Sequence, residues 1–218
     1  MKKYLQSYHA FFPRSYMKWI IYLVYPASMF ALFFGGQLLF DMMVLMLMMP
    51  TVMLAVECMI DMFVFSGFAA KGNAGRMEYM MASAKGRGMV NRALAVDWIR
   101  RLLYLLVLAA VVYVASLAKQ GGELDEMLIK LFFCVLTSAA FLMSVALWII
   151  RVIDNRAVQY GVMYMLLSLP AWVIMLLTKQ FEMDMKWICL VFIVLFVISV
   201  AGQIWFLMKK VKEGYYDA

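Results

Sequence analysis

The sequence predicts an all-α integral membrane protein, a single domain over residues 1–218 with six transmembrane helices and both termini in the cytoplasm. Three observations carry that expectation. Hydrophobic residues make up 67% of the 218 and charged ones only 15%, against roughly 45–50% and about 25% in soluble domains. Pro 4 and Gly 12 leave little material for loops, so most of the backbone must satisfy its own hydrogen bonds, which in lipid means helices or closed barrels. The apolar runs are too long and too uniform for barrel strands.

The elements follow in chain order. Residues 1–18 place Tyr4, Leu5, Tyr8, Phe11 and Phe12 at helical spacing among Lys2, Lys3, Gln6, Ser7 and Arg14, the pattern of an interfacial helix on the inner membrane surface. The competing reading is a disordered basic tail. Polar residues interrupt this start before any apolar core, which argues against a cleavable signal and leaves the first span to direct insertion. Six stretches reach the roughly 20 residues that a bilayer core requires: 19–40, 42–68, 98–118, 127–150, 157–178 and 187–208. Gly35, Gly36, Gln37 and Asp41 provide a tight turn between the first two. Pro26, Pro50 and Pro170 fall inside spans one, two and five, where each removes a helix hydrogen bond and can kink its span. Trp19, Trp98, Trp148, Trp187 and Trp205 sit near span ends and read as interface anchors. Cys58, Cys134 and Cys189 each lie in an apolar run and read as small core hydrophobes, an odd number of isolated thiols being unable to make a disulfide framework.

Orientation follows from the basic residues, because basic loops stay in the cytoplasm. All but Lys119, Lys130, Lys179 and Lys186 of the 20 lysines and arginines fall in the amino-terminal segment, the 69–97 connection with the first turn of span three (Arg100 and Arg101), the turn after span four and the carboxyl terminus. Glu123, Asp125, Glu126, Glu182 and Asp184 offset the four exceptions. The net charge of +7 is thus a topology signal, and nucleic acid is not needed as a partner to explain it. The expected location is the cell membrane, multi-pass, and Asp154 with Arg151 and Arg156 reads as a solvated inner turn.

Glu57 and Asp61 stand one helical turn apart in span two and therefore share a face. Acids at membrane depth cost a few kcal/mol each on insertion scales, so they face protein or water. Two readings stand open. In one they line a cavity and attract a cation or hold a proton, as in a six-span channel or ion carrier; in the other they pair with Arg92, Arg100 or Arg101 at the start of span three. Pairing is preferred for Asp61, and for Glu57 the two stand level. Met46, Met49 and Met53 belong to a methionine stripe on span two among 23 methionines. Thioethers can hold Cu(I), yet no Cys or His cluster accompanies them, so no metal site is assigned and an accommodating apolar wall, a candidate translocation path, is preferred. No His and acid cluster and no serine with a base stands at membrane depth, so no catalytic residue is assigned.

The connection from residue 69 to 97 is long and charged, and long ordered loops usually have a task. Its glycines suggest a short helix from Arg76 to Ala84, between Gly75 and Gly86, presenting Met77, Tyr79, Met80 and Met81 beside Glu78. The run Gly75, Arg76, Met77, Glu78, Tyr79, Met80, Met81, Ala82, Ser83, followed by Arg87, resembles a motif of the permease subunits of ABC-2 type ATP-binding-cassette transporters. That motif covers about a dozen residues; the six-span layout and amphipathic first helix resemble the family along the whole chain. Ala84 stands where the family often has proline. The resemblance implies that this loop is a coupling helix seated in a cleft of a separate ATPase. It also implies two ATPase copies, which bind ATP and Mg, and a second permease, identical or homologous. The chain itself lacks the spacing G-x-x-x-x-G-K-[ST] that cradles nucleotide phosphates, so no cofactor and no enzymatic activity are expected of it alone. The implied function is export of amphipathic peptides, hydrophobic drugs or lipids.

Overall fold

In a computed structural model, which describes residues 1–12, 14–31, 42–65, 83–119, 126–153, 155–165 and 184–213, every regular element is a helix and none of the described residues is in a strand. Helix α1 is Lys2–His9. Helix α2 opens as Met17–Trp19, passes through a π-helical turn at Ile20–Val24 and is α-helical again over 25–31. Helices α3 (Met42–Val64), α4 (Ala84–Lys119) and α5 (Glu126–Val152) follow, then α6 over 156–165 and α7, Met185–Glu213.

The π-turn has a local cause. The Tyr25 N–H donates to the Ile20 carbonyl, five residues back, and continuing that register would pair the Ile21 carbonyl with Pro26, which has no N–H. The Tyr104 hydroxyl of α4 supplies the missing donor at 2.8 Å. Pro26 therefore distorts its span and creates a side-chain bond between two helices. Pro50 sits inside α3 without ending it.

Helix α4 corrects one expectation. Ala84 does not close a short helix before Gly86; it opens one of 36 residues that runs through Gly86 and Gly88. Ser83 starts it, its hydroxyl accepting the Gly86 N–H and its carbonyl the Arg87 N–H, each at 2.9 Å. Such a cap contributes about 1 kcal/mol, enough to offset a glycine in the first turn. Residues 84–97, assigned to the connecting loop, are thus helical and continuous with the third apolar stretch.

Contacts give the helix directions. Phe141 meets Phe192, Ser144 bonds Ser199 at 2.8 Å, and Trp148 meets Phe206. These pairs advance together, so α5 and α7 run parallel. Glu57 meets Arg100 while Met49 and Met53 share a cavity wall with Val107 and Val111, so α3 and α4 run antiparallel. The segments Lys130–Val152 and Met185–Lys209 are long and apolar enough to cross a membrane. The first is the centre of the bundle, with 67% of its most apolar stretch buried, and the second keeps only 22% buried. Leu190, Val194, Val197 and Ile198 on α7 are exposed between exposed Trp187 and Trp205. Those tryptophans are eighteen residues apart, about 27 Å along a helix, close to a bilayer's hydrocarbon thickness.

Two other expectations change, and one competing reading drops out. Trp98 is no interface anchor; it is 5% exposed, packed with Cys58, Leu142 and Leu147, because α4 enters the bundle at that level. Residues 1–12 are not a disordered tail: α1 lies on α4, burying Ser7, Tyr8, Phe11 and Phe12 while Tyr4 and Leu5 stay exposed. Cys134 and Cys189 are not isolated; parallel packing of α5 and α7 sets them face to face. Residues 32–41, 66–82, 120–125 and 166–183, with Pro170, and Asp154 lie outside the described residues.

Candidate functional site

Where α1, α3, α4 and α5 converge, seven polar side chains form one buried network. They are Tyr8 of α1, Glu57 and Asp61 of α3, Asp97, Arg100 and Arg101 of α4, and Arg151 of α5. Arg100 is 6% exposed and the other six are fully buried. Helical periodicity sets the donors and acceptors: Glu57 and Asp61 are one turn apart, and Asp97 is one turn before Arg100 and Arg101.

The Arg100 guanidinium forks onto Glu57, its two nitrogens donating to Oε1 and Oε2 at 2.7 and 2.6 Å. Arg101 bridges the acids of α3, Nε donating to Glu57 Oε2 at 2.9 Å and Nη2 to Asp61 Oδ1 at 2.7 Å. Its Nη1 is also 3.0 Å from Asp97 Oδ2. Arg151 forks onto Asp61 at 2.9 and 2.7 Å and also donates to Asp97 Oδ2. Asp97 Oδ1 accepts from Tyr8 at 3.1 Å and Arg100 at 3.3 Å. All six carboxylate oxygens therefore have a donor, and three negative charges face three positive ones. Rings shield the guanidiniums: Phe65 lies over Arg151, Trp98 over Arg101 and Tyr104 over Arg100, at 5.1, 5.8 and 5.3 Å.

The turn after α5 holds Arg151 in place. The Asn155 side chain accepts the Ala157 and Val158 N–H groups and so starts α6, while the Gln159 amide donates back to the carbonyls of Ile150 and Ile153. Arg151 is thus no part of a solvated turn; α5 runs past it and turns its side chain inward. Tyr8 joins the network as a donor. Burial, then the nearby Asp97 carboxylate, pushes its hydroxyl well above the usual tyrosine value, so it keeps its proton. Burial alone would raise the Asp97 carboxyl, but Arg101, Arg151 and Arg100 hold it below the usual carboxylate range.

Glu57 and Asp61 are brought together and paired with Arg100 and Arg101, while Arg92 makes no bond to them among the described residues. Arg151, Asp97 and Tyr8 were not read as partners. The sequence gives no signal for Arg151, which stands beside Asp154 and Arg156 in what reads as a polar turn. Met49 and Met53 are buried on the wall of an apolar cavity of about 50 Å³ that Tyr25, Pro26, Met29 and Tyr104 also line. Met46 is helical, its side chain outside the description. Ser83 caps α4, and Arg87 lies in its first turn. Gly75, Arg76, Met77, Glu78, Tyr79, Met80 and Met81 lie outside the described residues.

Chemically, a charge-balanced network of this kind, with every carboxylate oxygen bonded, joins helices. Removing one partner from such a buried set is costly, while the intact set specifies which helix faces meet. Compared with models of known protein families, with curated proteins and with solved structures, the chain matches none.

Proposed function

We propose that the chain is the membrane-spanning permease subunit of an ATP-driven exporter of the ABC-2 type, moving amphipathic peptides, hydrophobic drugs or lipids outward with energy from a separate ATPase. The observation that supports the reading most is α4. It leaves the charged connection as one unbroken helix from Ala84, and its Asp97, Arg100 and Arg101 bind α3, α5 and α1. A push on residues before Ala84 would therefore reach several helices at once. The six apolar stretches, cytoplasmic termini and multi-pass cell-membrane location belong to the same proposal. Parallel α5 and α7 favour them, because spans four and six of that layout run in the same direction. In this reading the ion network lies at the inner end, where the basic residues concentrate.

The reading is tested by purifying the tagged chain with the product of the neighbouring gene, which the proposal requires to be an ATPase. The expected result is a stable complex whose ATP hydrolysis exceeds that of the ATPase alone, with Glu78→Arg lowering both recovery and stimulation. Unchanged recovery and stimulation in that variant, or passage of solutes through liposomes holding this chain alone, would overturn it.

A further inference from the structure

Cys134 of α5 and Cys189 of α7 are 55 residues apart in sequence, and their sulfurs are 3.0 Å apart. Cys134 is fully buried in a small apolar cluster with Val135, Ile188 and Phe192, whereas Cys189 is half-buried. The Cys134 thiol is also 3.2 Å from the Met185 carbonyl, to which it donates. Asp184 caps the same turn, its side chain accepting the Lys186 N–H and its carbonyl those of Trp187 and Ile188. The pair therefore sits on a fixed helix start, beside exposed Trp187 and at the polar boundary marked by Lys186.

The spacing separates two chemistries. Two thiolates on one tetrahedral zinc, each bonded at about 2.3 Å, stand roughly 3.8 Å apart, and no group of three or more His, Cys, Asp or Glu able to hold a metal occurs among the described residues. At 3.0 Å the sulfurs have no room for a metal between them, and a small approach joins them directly. We propose that Cys134 and Cys189 are a redox pair that closes an intramolecular disulfide, stapling α5 to α7 at the Trp187 end. Cys58 takes no part, because it lies in a different cluster with Leu54 and Trp98.

The oxidant is a disulfide, either a small one such as oxidised glutathione or one carried by a protein. The more accessible Cys189 thiolate attacks one of its sulfurs, forming a mixed disulfide and releasing one thiolate. Cys134 gives its proton to that thiolate, and its sulfur attacks the Cys189 sulfur and expels the second. Two cysteine S–H groups and one disulfide become one protein disulfide and two thiols, so the oxidant gains both electrons. The pair stands whether or not the chain is a permease, because it depends only on how α5 packs on α7.

The test treats membrane vesicles holding the full chain with oxidised glutathione, or with the membrane-permeant thiol oxidant diamide, then denatures and alkylates with a heavy maleimide. The expected result is a fall from three adducts to one, a peptide linking Cys134 to Cys189, and reversal by dithiothreitol. In Cys134→Ser, glutathione is expected to remain on Cys189 as a stable adduct. Three adducts after both oxidants, a link between two copies of the chain, or glutathione resting on Cys189 in the unmutated protein would each overturn the proposal.

Discussion

Arg101 is the guanidinium that reaches all three acids, through Glu57, Asp61 and Asp97, so Arg101→Met is the sharpest test of the ion network. Methionine fills much of the stem's volume, and the six carboxylate oxygens keep donors from Arg100, Arg151 and Tyr8. What is lost is charge balance, three carboxylates against two guanidiniums, all of them buried. Breaking such a buried set costs about 3–5 kcal/mol, and at about 2–4 °C per kcal/mol for a chain of this size the expected fall in melting temperature is roughly 6–20 °C. Tryptophan fluorescence during heating of the detergent-solubilised protein reads it directly. Restoring neutrality with Glu57→Gln in the same chain should recover part of the loss, so the double variant melts above the sum of the two singles. A single variant that melts with the unmutated protein, or a strictly additive double variant, would refute the claim that the network holds these helices by balanced charge.

Three further outcomes are expected. Tyr104→Phe strands the Ile21 carbonyl and costs about 1–3 kcal/mol; in a Pro26→Ala background, where residue 26 regains an N–H, the same substitution should cost measurably less on thermal melting. Tyr8→Phe removes one donor to Asp97 and should cost about 1 kcal/mol, with proteolysis of the amino-terminal segment accelerated. The neighbouring guanidiniums hold the Asp97 carboxyl below its ordinary range, so its contribution to stability is present above the unfolded-chain value of about 4 and drains away as pH falls through the lowered one. A melting temperature measured across pH should therefore be level down to about 5 and decline below about 4, and an Asp97→Asn chain should lose part of that decline.

How much could be read in advance differed from residue to residue. Glu57 and Asp61 announce a shared face through their spacing, and Arg100 and Arg101 are the nearest cations once a chain reversal follows span two. Arg151 gave no such hint, since it stands beside Asp154 and Arg156 in what looks like a polar turn. Only the Asn155 and Gln159 side chains, by ending one helix and starting the next, turn it inward. Tyr8 could be placed on an amphipathic helix, but periodicity says which residues share a side and nothing of which neighbour that side will meet. The same limit hid Cys134 and Cys189, which become neighbours only because α5 and α7 run in the same direction. Gly86 misled in the opposite sense, for a glycine suggests a stop and Ser83 outweighs it with a start.

For a chain inserted into lipid while it is being made, the network imposes an order of events. Asp61 leaves the ribosome 40 residues ahead of Arg101 and 90 ahead of Arg151, and a carboxylate alone in hydrocarbon is disfavoured by a few kcal/mol. At roughly 5–20 residues per second the last counter-ion is about 5–18 seconds away. In the proposed multi-pass layout the second apolar stretch would therefore linger at the wet mouth of the translocation machinery until its later partners emerge, and these helices would settle into the bilayer as a group.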